Sequence, residues 1–223
     1  MPTQPITRTT LSFPDLRLSA REAPKLRGYF GARFGEQSSL FHNHTEDGYE
    51  YRYSAIQYKI IEGIPTVVGV GPGAREVFTA FMDIECLVVG QQEYAVNQKE
   101  LDHDELKFGI GNQLLDYEFI TPWYGLNQKN YPRYRATSAD QKPALLDDLL
   151  RVYLVTTVAG LGLVNHRAVP IMARGDLRPV KVNVDNQVRQ MFYGRFTTNA
   201  VLPDLIGIGK QTSHGFGTVR RLR

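Results

Sequence analysis

Tyr49-Glu50-Tyr51-Arg52-Tyr53-Ser54-Ala55-Ile56-Gln57-Tyr58-Lys59 alternates cleanly, which puts Tyr49, Tyr51, Tyr53, Ala55, Gln57 and Lys59 on one face of a strand. Glu62-Gly63-Ile64-Pro65 carries the turn residues of a hairpin, and residues 66–70 pair back on the strand before them. Upstream, residues 11–18 alternate as a first strand, and a stretch of helical character follows from Ser19 to about Phe30. Downstream, Gly71-Pro72-Gly73 breaks the hairpin, residues 74–81 suit a short helix, and residues 84–96 return as β. The resulting order, β-α-β-β-α-β, is that of a ferredoxin-like unit.

The order then repeats. Residues 107–120 read as a strand, Ser138-Ala139-Asp140-Gln141 has the form of a capping box, and Pro143 suits an early helical position. Leu146, Leu149, Leu150, Tyr153, Leu154 and Thr157 recur at helical spacing up to Gly160. Residues 179–184 and 187–197 form a hairpin about Asp185-Asn186, and strands at 201–208 and 215–222 close the unit. The expected fold is α+β, two tandem ferredoxin-like (RRM-like) domains at 1–104 and 105–223, with a C-terminal glycine-rich loop in the second.

The 223 residues are 42% hydrophobic and 22% charged, ordinary for a soluble globular protein, and no apolar run approaches the ~20 residues of a membrane span. The N-terminus has no apolar signal segment and Cys86 is the single cysteine, so a disulfide framework is excluded and the cytoplasm is the expected location. A net charge of +3 does not by itself announce a nucleic-acid partner, but the cations cluster at 129–135, at 167–195 and at the C-terminus.

In that C-terminus Gly207, Gly209, Gly215 and Gly217 interleave with Lys210, Arg220 and Arg221. Glycines let backbone amides approach a ligand and cations supply charge, so the segment reads as a phosphate cradle; a glycine-rich hairpin that merely turns the chain has the same composition. A P-loop is excluded, because Gly209-Lys210-Gln211 lacks the Ser/Thr and no helix follows. Thr121-Pro122-Trp123-Tyr124 and the amides after it offer aromatic rings for base stacking, or a buried Trp beside a short helix capped near Asn127.

Phe41-His42-Asn43-His44 places two imidazoles at i and i+2, on one side of an extended segment. One neutral imidazole can take the proton from a ribose 2′-OH and an imidazolium can protonate the departing 5′-oxygen, because both forms are populated near pH 6.5. Tyr51 can position the reacting groups, and Arg33 and Lys59 can stabilise transition-state charge. A His-x-His metal pair and two exposed loop histidines without a role share this spacing. His103, His166 and His214 form no ligand-like cluster in sequence, so no metal and no cofactor are expected.

Lys25-Leu26-Arg27-Gly28-Tyr29-Phe30, His42-x-His44, Ser54-Ala55-Ile56-Gln57-Tyr58-Lys59, Thr121-Pro122-Trp123 with Leu126-Asn127, and the terminal glycine loop occur in one order and spacing. In this the chain resembles the CRISPR-associated repeat-RNA endoribonucleases, the sixth Cas family in its b-type branch. The resemblance implies metal-independent cleavage within repeats of CRISPR precursor RNA, leaving a 2′,3′-cyclic phosphate and a 5′-OH. It makes His42, His44 and Tyr51 catalytic, and assigns RNA contacts to Arg33, Lys59, Gly207, Gly209, Lys210, Gly215, Gly217 and Arg220. The implied partner is CRISPR repeat RNA, as precursor and as product crRNA. Other CRISPR effector subunits and a homodimer are compatible with it, and no membrane is involved. The alternative is a non-catalytic RNA-binding subunit of a CRISPR effector complex.

Overall fold

A computed structural model describes residues 3–41, 53–163 and 169–222. The chain divides into two compact units: Pro5–Leu106 with Thr212–Gly215, and Lys107–Gln211 with Phe216–Arg223 and Met1–Gln4.

The first unit contains β1 (Thr3–Ser12), α1 (Ala23–Phe34), β2 (Ile56–Ile61), β3 (Ile64–Val70), α2 (Pro72–Ala80), β4 (Cys86–Val89), β5 (Gln92–Ala95) and the opening of β6 (Glu100–Trp123). Ser19 and Glu22 form a capping box ahead of α1. Glu62 and Gly63 turn the β2–β3 hairpin with φ of 54° and 84°, the paired left-handed conformation of a type I′ turn, so that Tyr58 faces Val67. β3 pairs with β1, Leu11 opposite Val67. The start of β6 runs beside β1, where Arg8 meets Asp104 at 2.9 Å and His103 Nδ1 lies 2.8 Å from Thr9 Oγ1. Strand order β2-β3-β1-β6 with intervening α1 and α2 is the ferredoxin-like arrangement.

Three sequence expectations change here. The first strand lies at Thr3–Ser12, upstream of 11–18, because Phe13, Leu16 and Leu18 are core residues on an irregular segment whose spacing imitates a strand. Residues 84–96 fold as the separate two-stranded β4–β5 sheet, and β6 takes the place beside β1. The strand expected from Tyr49 begins at Ile56; residues 49–52 lie outside the described residues.

The second unit holds the rest of β6, α3 (Asn130–Ala136), α4 (Lys142–Gly160), β7 (Ala173–Val184), β8 (Gln187–Val201) and β9 (Val219–Arg221). Tyr117 of β6 pairs with Phe196 of β8 on one edge and with Arg221 of β9 on the other, giving β7-β8-β6-β9. Asp185 and Asn186, at φ 49° and 58°, make the expected tight β7–β8 turn. α4 buries Leu145, Leu146, Leu150, Leu154 and Val158, and Asp147 accepts a hydrogen bond from the Gly175 amide of β7 at 2.8 Å. Gln141, without a side-chain bond, occupies its N-cap; the capping box expected at Ser138 is replaced by the Ser138 carbonyl accepting from Gln141 and Lys142.

Among the described residues the second helix of this repeat is missing. Between Val201 and Val219 the chain runs as a loop with one 3-10 turn, Thr212–His214, and the strand expected at 201–208 shrinks to a Gly207–Thr218 bridge. Pro203 lacks an amide donor and Leu205 has φ 68°, so neither suits a ladder. No helix of the described residues is long and apolar enough to cross a membrane.

Phe30 is fully buried and packs on Tyr29, Phe34, Phe41 and Tyr58 at centroid distances of 5.4–6.3 Å. Phe30→Ala is expected to lower stability by about 3–5 kcal/mol in urea unfolding. Leu114→Ala, at a side chain 58% exposed, is expected to cost less than about 0.5 kcal/mol. Equal losses would displace the core from this helix.

Candidate functional site

The glycine-rich loop is built to satisfy its own chain. Gly217 has φ +63°, and a Cβ there would stand 1.9 Å from the Ile208 carbonyl oxygen, whose residue pairs with Gly217 through a 2.8 Å backbone bond. Gly215 has φ +87°, and its Cβ would lie 3.0 Å from the Tyr58 carbonyl oxygen and 3.4 Å from Lys59 Cα. Both glycines are required by close backbone approach inside the protein. Gly207 carries the bridge to Thr218, and Gly209 abuts Trp123 and the Tyr124 carbonyl. Substituting Gly209, Gly215 or Gly217 changes the loop itself, so it is the neighbouring cations that can report on ligand binding.

Within the second unit the Lys210 amide donates to the Tyr124 carbonyl at 3.0 Å and its ammonium sits 4.7 Å from the Tyr124 ring centre. Burial, aided by the nearby Arg189 charge, holds its pKa below the usual lysine value. A cation close to a second cation favours an anionic ligand. The β-register places Glu118 between Arg195 of β8 and Arg220 of β9, so the Arg220 charge faces a carboxylate within the sheet. Arg174, Arg178 and Arg195 are exposed on the same side of the β7–β8 hairpin as Tyr193, which stands opposite Arg178. Tyr193 escaped notice in the sequence, although its period-2 spacing from Arg195 signalled a shared face. Trp123 is fully buried against Phe119, Phe192 and Tyr153, so it is core and not a stacking platform; Asn127 caps the turn into α3 as anticipated.

Within the first unit the loop tip Thr212–Gly215 packs on α1 and β2. Arg27 of α1 meets His214 Nε2 at 2.9 Å. Arg33 lies about 120° farther round the same helix. Its guanidinium donates to the Asp83 carbonyl at 2.9 Å and rests over Phe34, beside the segment that leads into β4. The helix therefore sends Arg27 to the glycine loop and Arg33 to the opposite flank. The Lys25–Phe30 segment contained Arg27, but its role depends on which flank the loop meets.

Lys59 is a correction to the expectation of an RNA-contacting cation. It is fully buried, and burial pushes its pKa down to about 7. A phosphate oxygen reaches such an ammonium only if surrounding residues move. His42, His44 and Tyr51, like His166, lie outside the described residues. The described segment before them ends at Phe41, stacked on Phe30 and packed against Phe34, with its carbonyl accepting from the buried Tyr58 hydroxyl at 3.2 Å. His103 is exposed against Phe78, well away in sequence from this segment.

Lys59 makes stability pH-dependent. Unfolded, it keeps its proton to about pH 10.4; folded, it loses the proton near 7. Between those values unfolding takes up a proton, so stability rises with pH by up to about 1.4 kcal/mol per unit, and that gain is absent below pH 7. Urea unfolding of wild type from pH 7 to 10 is expected to show this rise, and Lys59→Met to flatten it; an identical slope in both would place the ammonium in water.

The Cas6b N-terminal domain family matches residues 4–107, and the Cas6b C-terminal domain family matches residues 109–222. An uncharacterized protein of Methanocaldococcus jannaschii is 32% identical over 126 residues, covering 52% of this chain and 78% of that protein. A crystal structure of Cas6b is similar at TM-score 0.91 and 28% identity, over 98% of this chain and 100% of that one. A crystal structure of the CRISPR RNA processing endoribonuclease Cas6b is similar at TM-score 0.79 and 26% identity, over the same shares. A Cas6 product complex, 15% identical over 99% of this chain and 100% of that one, shares the fold at TM-score 0.60. With both halves matched, the chain belongs to the Cas6b family.

Proposed function

We propose that this protein is an endoribonuclease that cleaves CRISPR precursor RNA within its repeats to yield guide crRNAs. The observation that carries the reading is the match of both halves of the chain to Cas6b domains, together with the likeness to a Cas6b that processes CRISPR RNA. The mechanism is metal-independent. The ribose 2′-OH attacks the adjacent phosphorus, with one of His42 and His44 as base and the other as acid to the 5′-oxygen. The products are a 2′,3′-cyclic phosphate and a 5′-OH. Tyr51 positions the reacting groups. Lys210 and Arg220 supply charge to the RNA backbone beside the glycine loop, whose Gly207, Gly209, Gly215 and Gly217 hold its shape. Arg33 acts as a cation from the far flank of α1.

Two experiments test this reading. Repeat RNA cleavage in EDTA is expected to persist for wild type, to vanish with a 2′-deoxy residue at the cut site, and to fall by roughly 10²-fold or more in His42→Ala or His44→Ala. RNA affinity should stay nearly constant in those variants. Cleavage restored only by a divalent ion would sink the mechanism, and binding without cleavage would favour the RNA-binding subunit. Lys210→Ala is expected to weaken repeat binding and reduce the slope of log K against log salt by about 0.7, the share of one single-strand phosphate contact. An unchanged slope would remove Lys210 from the RNA.

A further inference from the structure

The Lys25–Phe30 segment carries an arginine to which the reaction above gives no task. Arg27 is half-buried on the flank of α1 that faces the loop tip, and its guanidinium lies 2.9 Å from His214 Nε2. Arginine has only donors, so in this bond His214 Nε2 is the acceptor. A charge-assisted bond of this kind is worth more than a neutral one. His214 is the last residue of the 3-10 turn Thr212–His214, and the next residue, Gly215, rests on the Tyr58–Lys59 backbone. The tip thus meets the Tyr58–Lys59 backbone on one side and α1, through the Arg27–His214 bond, on the other. Thr212 is buried at the start of the same turn, so the tip has little freedom while both holds are intact.

We infer that Arg27 and His214 are a positioning pair that fixes the tip of the glycine-rich loop for RNA binding, with Arg27 acting through His214 and not through a phosphate. The inference rests on the proposed RNA-binding role of that loop. Ordering the tip before RNA arrives spares the complex the entropy of ordering it on binding. The arrangement also explains why a histidine stands at this position: the turn needs an acceptor that reaches a guanidinium from a one-turn helix.

The test is repeat RNA affinity for the full-length chain carrying Arg27→Met, His214→Phe, both together, and His214→Gln. Each of the first two is expected to weaken binding by roughly tenfold, the size of one lost charge-assisted bond. The double variant should be no weaker than either single one, because the two residues share one interaction. Gln at 214 offers a carbonyl to the same guanidinium, so His214→Gln should stay within about threefold of wild type. Additive losses would mean that Arg27 grips RNA directly, and would overturn the inference, as would wild-type affinity in His214→Phe. Should Arg27→Met fail to fold, the contrast between Phe and Gln at 214 decides alone. Wild-type protein that binds no repeat RNA would defeat the proposed function instead, a distinct outcome.

Discussion

The docking of α1 through Phe30 is the constraint on which the candidate site depends. Phe30 stacks with Phe41 and packs against Phe34 and Tyr58, which joins the helix, the residue before His42 and the hairpin strand β2 in one aromatic cluster. Tyr58 adds a hydroxyl to this cluster that donates to the Phe41 carbonyl, and burial pushes its pKa up, so it remains a donor. The rotation of α1 in the cluster sends Arg27 toward the glycine loop and Arg33 toward the segment before β4. Aromatic packing, not electrostatics, therefore decides which cation stands where.

The glycine-rich loop shows how one composition serves two ends. Gly209, Gly215 and Gly217 have positive φ and meet the chain's own carbonyls closely, so the loop's shape is an internal steric requirement. Its cations carry whatever affinity the loop has for an anion, and they are differently placed. Lys210 rests on Tyr124 close to Arg189, whereas Arg220 faces Glu118 across the ladder. A cation near another cation gains when an anion arrives; one beside a carboxylate has part of its charge already answered.

Lys59 illustrates the difference between residue type and environment. In the sequence it is one more cation at the end of an alternating strand. In the fold it is a buried amine poised near neutrality, with the charged form disfavoured by lost hydration. Trp123 makes the same point for aromatics, since a ring that in sequence can stack on a base is fully enclosed by Phe119, Phe192 and Tyr153.

The sequence by itself determined the elements whose signals are local: the β2–β3 hairpin with its Glu62-Gly63 turn, the Asp185-Asn186 turn, the helical run of α4, and the α+β class. It also carried the order of motifs by which the family is recognised. Only the tertiary structure decided which strand completes each sheet, with the opening of β6 displacing residues 84–96 and three-residue β9 serving where a longer strand was expected. It alone decided that Lys59 and Trp123 are interior, that Arg27 and not Arg33 meets the loop tip, and which carbonyl each loop glycine must avoid. The reason is physical: turns and periodicity arise from neighbours a few residues apart, whereas strand partners, burial and helix rotation are set by contacts between residues far apart in the chain.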